Sequence, residues 1–277
     1  MFRAAVRTRA AAPLAAATAA LLGLGACTAD TTTAAPSTGP GPTSAGPTSA
    51  GPTNDAPVST LTAAAPDRAG SPYRFTLTDP RMTMTGVDDA AKKARLMEGS
   101  FAMPHPTLGT VKMKMSFLRR DADVYSAVQV ENAPSPVPAG WYRLDPAKLR
   151  GDGKAFLDKV RAPGDPARAG ALLGSARDVT AAGDTYRGTL DLTATPAAAD
   201  ALDPAQVKAL ADKAKAVPFT ATLDAQRRLT SLTLSLPAAG RFKAEEQTAR
   251  YTYGPAALPD VTKAAPAPAA LYQMLNG

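Results

Sequence analysis

The chain has 277 residues, of which 45% are hydrophobic and only 5% aromatic, with 31 Lys+Arg against 24 Asp+Glu. A single cysteine and a single histidine exclude an internal disulfide and a Cys/His zinc site. The formal charge of +7 is not gathered into any Lys/Arg block, so no nucleic-acid partner is expected.

Arg3, Arg7 and Arg9 are the only charges before position 30, and Ala10 to Ala26 carries none. A basic stretch followed by an uncharged one is the layout of a secretory signal peptide over residues 1–26. The run is alanine-rich and broken by Pro13, Gly23 and Gly25, whereas a spanning helix needs about 20 strongly apolar residues. Arg7-Thr8-Arg9 is not a twin-arginine pair, which points to general export. Removal of the segment lowers Lys+Arg from 31 to 28 against an unchanged 24 acids, leaving +4.

Leu24-Gly25-Ala26-Cys27 closes the apolar run and resembles the bacterial lipobox. In that motif the thiol is diacylated and the signal is cut before the cysteine. Each lipid CH₂ contributes about 0.8 kcal/mol on burial, and two chains anchor stably where one does not. Cys27 is therefore expected to be a lipidation site that tethers the protein to the membrane, without a catalytic role.

Residues 27–70 are dominated by Thr, Ala, Pro, Ser and Gly, with GPTSA at 41–45 repeated at 46–50. Val58 and Leu61 are almost the only large apolar residues. Such a segment cannot offset its chain entropy by burial and is expected to be a disordered spacer. Its typical span is about 35 Å. Residues 71–277 are long enough for one domain with a sizeable core.

Within that domain the dominant period is two. Tyr73, Phe75 and Leu77 alternate with polar residues, as do Val111, Met113, Met115 and Phe117. Further along, Leu190 and Leu192, then Phe219, Ala221 and Leu223, then Leu232, Leu234 and Leu236 do the same. Each set predicts a half-buried strand. Arg119–Asp123 and Asp224–Arg228 are short enough to join antiparallel neighbours. Helices are predicted at Lys154–Val160, Pro166–Ala176 and Pro204–Ala216, the last with Asp203 as N-cap and proline at N1. The order predicts an α+β fold, with helices against one side of a large antiparallel sheet.

Four stretches carry a resemblance: Gly140–Asp145 (GWYRLD), Ala169–Val179 (AGALLGSARDV), Thr185–Leu192 (TYRGTLDL) and Pro218–Leu236. With the lipobox and the Thr/Pro linker, they make the chain similar to the actinobacterial LppX/LprAFG-type cell-envelope lipoproteins, whose shape is akin to the LolA/LolB carriers. The resemblance covers about 71–260. It implies a curved antiparallel half-barrel with helices on its concave side, around an apolar cavity that binds lipids, glycolipids or lipoglycans. It also implies a place on the outer face of the plasma membrane. That family tends to have glycine in the last hairpin turn, where this chain has Arg227-Arg228.

Six of the eight methionines lie between 82 and 115, and methionine suits surfaces that accept varied apolar ligands. Strand parity gives Phe75, Leu77, Met84, Phe101, Met113, Met115 and Phe117 as cavity candidates from the first block. Leu190, Leu192, Phe219 and Leu234 follow from the second. Leu172, Leu173 and Leu210 are the helical candidates.

No catalytic set accompanies them. His105 lies between two prolines, which predicts a loop. There is no Gly-x-Ser-x-Gly elbow, and Gly151–Lys154 lacks the remainder of a phosphate loop. Asp88-Asp89 reads as a solvated turn, and Trp141-Tyr142 as a packed strand start. The expectation is a non-enzymatic lipid-binding lipoprotein that takes no cofactor or metal, with no protein partner identified. The alternative is an envelope scaffold or sensor that binds a protein and no lipid.

Overall fold

The computed structural model describes residues 55–80, 82–105, 107–135, 137–195 and 201–276. The expected signal peptide, Cys27 and the linker as far as residue 54 lie outside the described residues. The first strands are β1 (Tyr73–Thr78), β2 (Thr83–Asp89), β3 (Ala94–His105), β4 (Gly109–Arg120), β5 (Asp123–Glu131) and β6 (Tyr142–Arg143). Helix α1 (Asp55–Ala63) precedes them, and α2 (Gly151–Arg161) and α3 (Ala169–Leu173) follow. Then come β7 (Ala176–Ala182), β8 (Thr185–Leu190), α4 (Pro204–Leu210), β9 (Val217–Leu223), β10 (Leu229–Leu236) and β11 (Glu245–Tyr253). The short β12 (Ala265–Pro266) and α5 (Ala269–Asn276) end the chain.

The fold is α+β. Its twelve strands form one open sheet in the order β12-β6-β5-β4-β3-β2-β1-β11-β10-β9-β8-β7. All neighbours are antiparallel except β12 with β6. Two meanders, β1–β6 and β7–β11, are joined where β11 returns to pair with β1. The sheet has free edges at β12 and β7, the unclosed arrangement that a half-barrel requires.

The register carries one side-chain face across nearly the whole sheet. Phe75 stands opposite Tyr251 and Gly86, Gly86 opposite Met97, and Met97 opposite Phe117. On the other meander Leu234 stands opposite Phe219 and Phe219 opposite Gly188. The two Phe–Gly pairs have a steric cause. A Cβ on Gly86 would lie 2.3 Å from Phe75 Cζ, and one on Gly188 would lie 3.0 Å from Phe219 Cε1, so glycine lets each ring lie on its neighbouring strand. This face forms the main core with Leu61 of α1, Leu157 and Val160 of α2, Leu172 and Leu173 of α3, Leu210 of α4 and Leu271 of α5. The opposite face is polar apart from a small cluster in which Val87, Leu96 and Leu118 meet Ala256 and Val261, with Trp141 packed against it.

Local chemistry sets several boundaries. Asp203 accepts from the Ala205 amide at 2.8 Å with proline at N1, as its sequence predicts. The predicted helix 204–216 is α-helical only to Leu210. Ala211 has φ +49°, and a 3₁₀ segment continues to Ala216. The helix predicted over 166–176 is confined to α3, and Leu192 lies beyond the end of β8. In the last hairpin Arg227 takes φ +61° without glycine. Asp224 holds that turn by accepting from the amides of Gln226 and Arg228 at 3.0 and 2.8 Å.

Three expectations are corrected. His105 lies in β3, opposite Gly109, and not in a loop. Pro104 is tolerated there because β2 pairs with β3 only as far as Ser100, which leaves the proline's side of the strand without a ladder partner. Asp88 and Asp89 are buried in β2, not in a solvated turn. The folded unit begins well before residue 71. α1 packs against α3 and β7, Leu61 is fully buried, and the Leu229 amide donates to Ala64 O at 2.9 Å. Leu61→Ala is therefore expected to cost about 2–5 kcal/mol in a denaturant titration. A chain starting at Ser71 should unfold at lower denaturant than one starting at Ala50, and equal midpoints would show that α1 is not part of the cooperative unit.

Candidate functional site

Two adjacent rows on the inner face differ in bulk. One runs Phe117, Met97, Gly86, Phe75, Tyr251, and its aromatic rings fill the space above the sheet. The next runs Gly99, Met84, Leu77, Ala249, Leu232, Ala221. It is built of small and flexible side chains and does not fill its space. Above it the covering elements are short: α2 ends at Arg161 and α3 starts only at Ala169.

The result is a cavity of about 550 Å³ between sheet and roof. Leu77, Met82, Met84, Met97, Leu232, Leu234 and Ala249 line it from the strands and the β1–β2 turn. Phe156, Leu172, Leu202 and the segment Ala162–Arg168 line it from above. Phe156 is steadied by Phe117, with ring centroids 4.5 Å apart.

The polar groups of the cavity fall into two sets. One holds the roof. Arg95, 2% exposed, pairs with Asp88 across the β2–β3 register and donates to the carbonyls of Ala162, at 2.6 Å, and Gly164. Asp165, also 2% exposed, accepts from the Ala169 amide at 2.9 Å and from the Tyr251 hydroxyl at 2.8 Å. Burial pushes the Asp165 carboxyl above the ordinary carboxylate value despite those donors, and burial beside Asp165 pushes the Tyr251 phenol up. The second set, Asp158, Lys159, Asp203 and Gln247, lies at the same cavity. An apolar floor with charged groups among its lining suits an amphipathic ligand.

Of the residues expected from strand and helix parity, Leu77, Met84, Leu172 and Leu234 line the cavity. Phe75, Phe117, Leu173, Leu190, Leu192, Leu210 and Phe219 are buried in the packed core. Met113 and Met115 are half-buried against that core. Phe101 is 37% exposed, on the arm of β3 beyond the end of β2. Parity identifies the face but not how deeply a position is covered. Met97, Phe156, Arg95 and Asp165 were outside the expected lining. The signal for Arg95 was present: a hairpin turn after Asp89 sets Asp88 opposite Arg95.

Among the described residues no three or more His, Cys, Asp or Glu group together so as to hold a metal ion. No described helix is long and apolar enough to cross a membrane. Comparison with protein-family models, with curated proteins and with solved structures gives no match to this chain.

The raised Asp165 value has a definite sign. The carboxyl binds its proton more tightly folded than unfolded, so its contribution to stability is full below the unfolded value of 3.8 and is lost as pH rises through the higher folded value. Asp165→Asn removes that loss. Unfolding midpoints of the two proteins should diverge in favour of Asn as pH rises above 3.8. Groups such as Asp89, which Lys92 holds below the usual range, act in the opposite direction and cancel in the comparison. A gap that stays constant with pH would show that folding does not shift the Asp165 carboxyl.

Proposed function

We propose that this protein is a non-enzymatic carrier or sequestering module for lipids or glycolipids, tethered to the outer face of the plasma membrane through acylated Cys27. The observation that carries the reading is the methionine-containing cavity of about 550 Å³ between the sheet and its short roof. That volume falls within the roughly 300–1,000 Å³ of small-molecule sites. Its floor offers dispersion and area burial instead of directional bonds, so acyl chains of different length can be accommodated. Every CH₂ removed from water contributes about 0.8 kcal/mol, and the charged groups at the same cavity can meet a polar head. The lipobox resemblance of Leu24–Cys27 supports the tether, and the resemblance to LppX/LprAFG-type lipoproteins supports the ligand class.

The chain from Ala50 to Gly277 retains α1 and the whole sheet. Purified and extracted with organic solvent, it is expected to release a stoichiometric lipid detectable by mass spectrometry. Leu234→Trp fills the floor and should lower the recovered lipid several-fold while leaving the fold intact. Protein that is reproducibly empty, and that takes up no lipid from vesicles, would sink the carrier reading.

For the tether, Cys27→Ala is expected to block processing or to release the protein into the medium. Membrane attachment and processing identical to the parent would count against acylation.

A further inference from the structure

Beyond the wall of the apolar cavity lies a second, open cleft. Arg95 and Gly164 belong to both, and the cleft is completed by Arg119 and by the β2–β3 and β4–β5 turns, which bring Lys93 and Asp121. The charges around it do not balance. Arg95 and Arg119 stand directly opposite each other on β3 and β4, an arrangement that is unfavourable for like charges. Asp88 compensates Arg95, whose remaining donors go to the carbonyls of Ala162 and Gly164.

Among the described residues Arg119 forms no ion pair of its own; the Asp88 carboxylate that acts on it is already paired with Arg95. Arg119 donates once, from Nη1 to Arg161 O at 3.0 Å, and its buried Nε has no hydrogen-bond partner. Burial and the facing Arg95 guanidinium hold its pKa below the ordinary arginine value. Lys93 is largely exposed, with only the equally exposed Asp121 near it at 3.8 Å. The cleft therefore holds one buried-side guanidinium in excess and one exposed ammonium in a long, solvent-exposed pair with Asp121.

We propose that this cleft binds an oxyanion, phosphate or carboxylate, between Arg119 and Lys93. Such a group supplies what the fold omits: an acceptor for the free Arg119 donors and a negative charge between two cations. The planar guanidinium offers parallel donors to two oxygens, and the lysine adds a point charge beside them. The anion is either a free solute or the head of the amphipath whose chains occupy the adjoining cavity. The second source rests on the carrier reading given above, and the shared wall of Arg95 and Gly164 puts head and tail sites side by side.

The test uses the purified full chain at low ionic strength, titrated with inorganic phosphate. Separately, it is incubated with phosphatidylcholine vesicles that carry either phosphatidic acid or diacylglycerol. Arg119→Gln is expected to weaken phosphate binding about tenfold or more. Asp121→Asn should tighten it about threefold, a gain that loss of folding does not produce. Phosphate binding absent from the parent, or unchanged in both variants, overturns the proposal. Preference for phosphatidic acid over diacylglycerol that disappears in Arg119→Gln assigns the site to a lipid head. Phosphate binding without that preference supports a free anion. Phosphate binding with uptake of no vesicle lipid, by protein that is also empty on organic extraction, leaves the anion site standing and removes the carrier reading.

Discussion

The contact on which the interior depends is the buried guanidinium of Arg95. It leaves β3 on the inner face, takes its charge partner from β2, and donates to two carbonyls of the segment that follows α2. A buried ion pair adds little net stability against an apolar replacement, but removal of one partner costs about 3–5 kcal/mol because the other is left uncompensated. Its value here is positional. Backbone carbonyls at Ala162 and Gly164 have no strand or helix to satisfy them, and a charged fork from the sheet does so at a fixed height. The roof is thereby held off the floor where an apolar side chain would let it collapse. Asp165 performs the matching task at the start of α3, accepting from that helix and from Tyr251 of β11.

A roof held at that height leaves about 550 Å³ of partly open, largely apolar space above the sheet. The neighbouring row shows that the sheet can fill such space. Phe117, Phe75 and Tyr251 do so, with glycine at Gly86 making room for a ring. The adjacent row carries Gly99, Ala249 and methionine instead. Aromatic rings are thus used on one row and absent from the next, where aliphatic and small side chains leave open space.

Much of this was legible in the sequence, and the parts that were not share a cause. Period two found the strands because one sheet face is apolar and the other mostly polar, and Asp203-Pro204 marked its helix because cap chemistry is local. α1 escaped because a Thr/Ser/Ala/Pro segment with one leucine looks like spacer; only the partners of Leu61, far away in sequence, make it a buried anchor. Four of the fourteen apolar candidates line the cavity because alternation reports which face a residue is on, not the height of the roof above it. Asp88 reads as a surface acid until β2 and β3 are paired, and then its partner is fixed by counting across the turn.

The two sides of the cavity also differ in how they are secured. The floor is held by ladders of seven to twelve residues in β2, β3 and β10, every one of which has a strand on either side. The segment 162–168 has no ladder. It depends on Arg95, on Asp165 with Tyr251, and on the donation of Arg168 to Pro163 O. Local opening takes place where few contacts must be given up together, so access to the interior is cheapest through this segment and dearest through the sheet. Both clefts border it: Pro163 and Gly164 line each, and Arg95, which fastens it, lines both. Whatever loosens Arg95 or Asp165 acts on the roof, the cavity and the cationic cleft at once, while the register of the strands below is left intact.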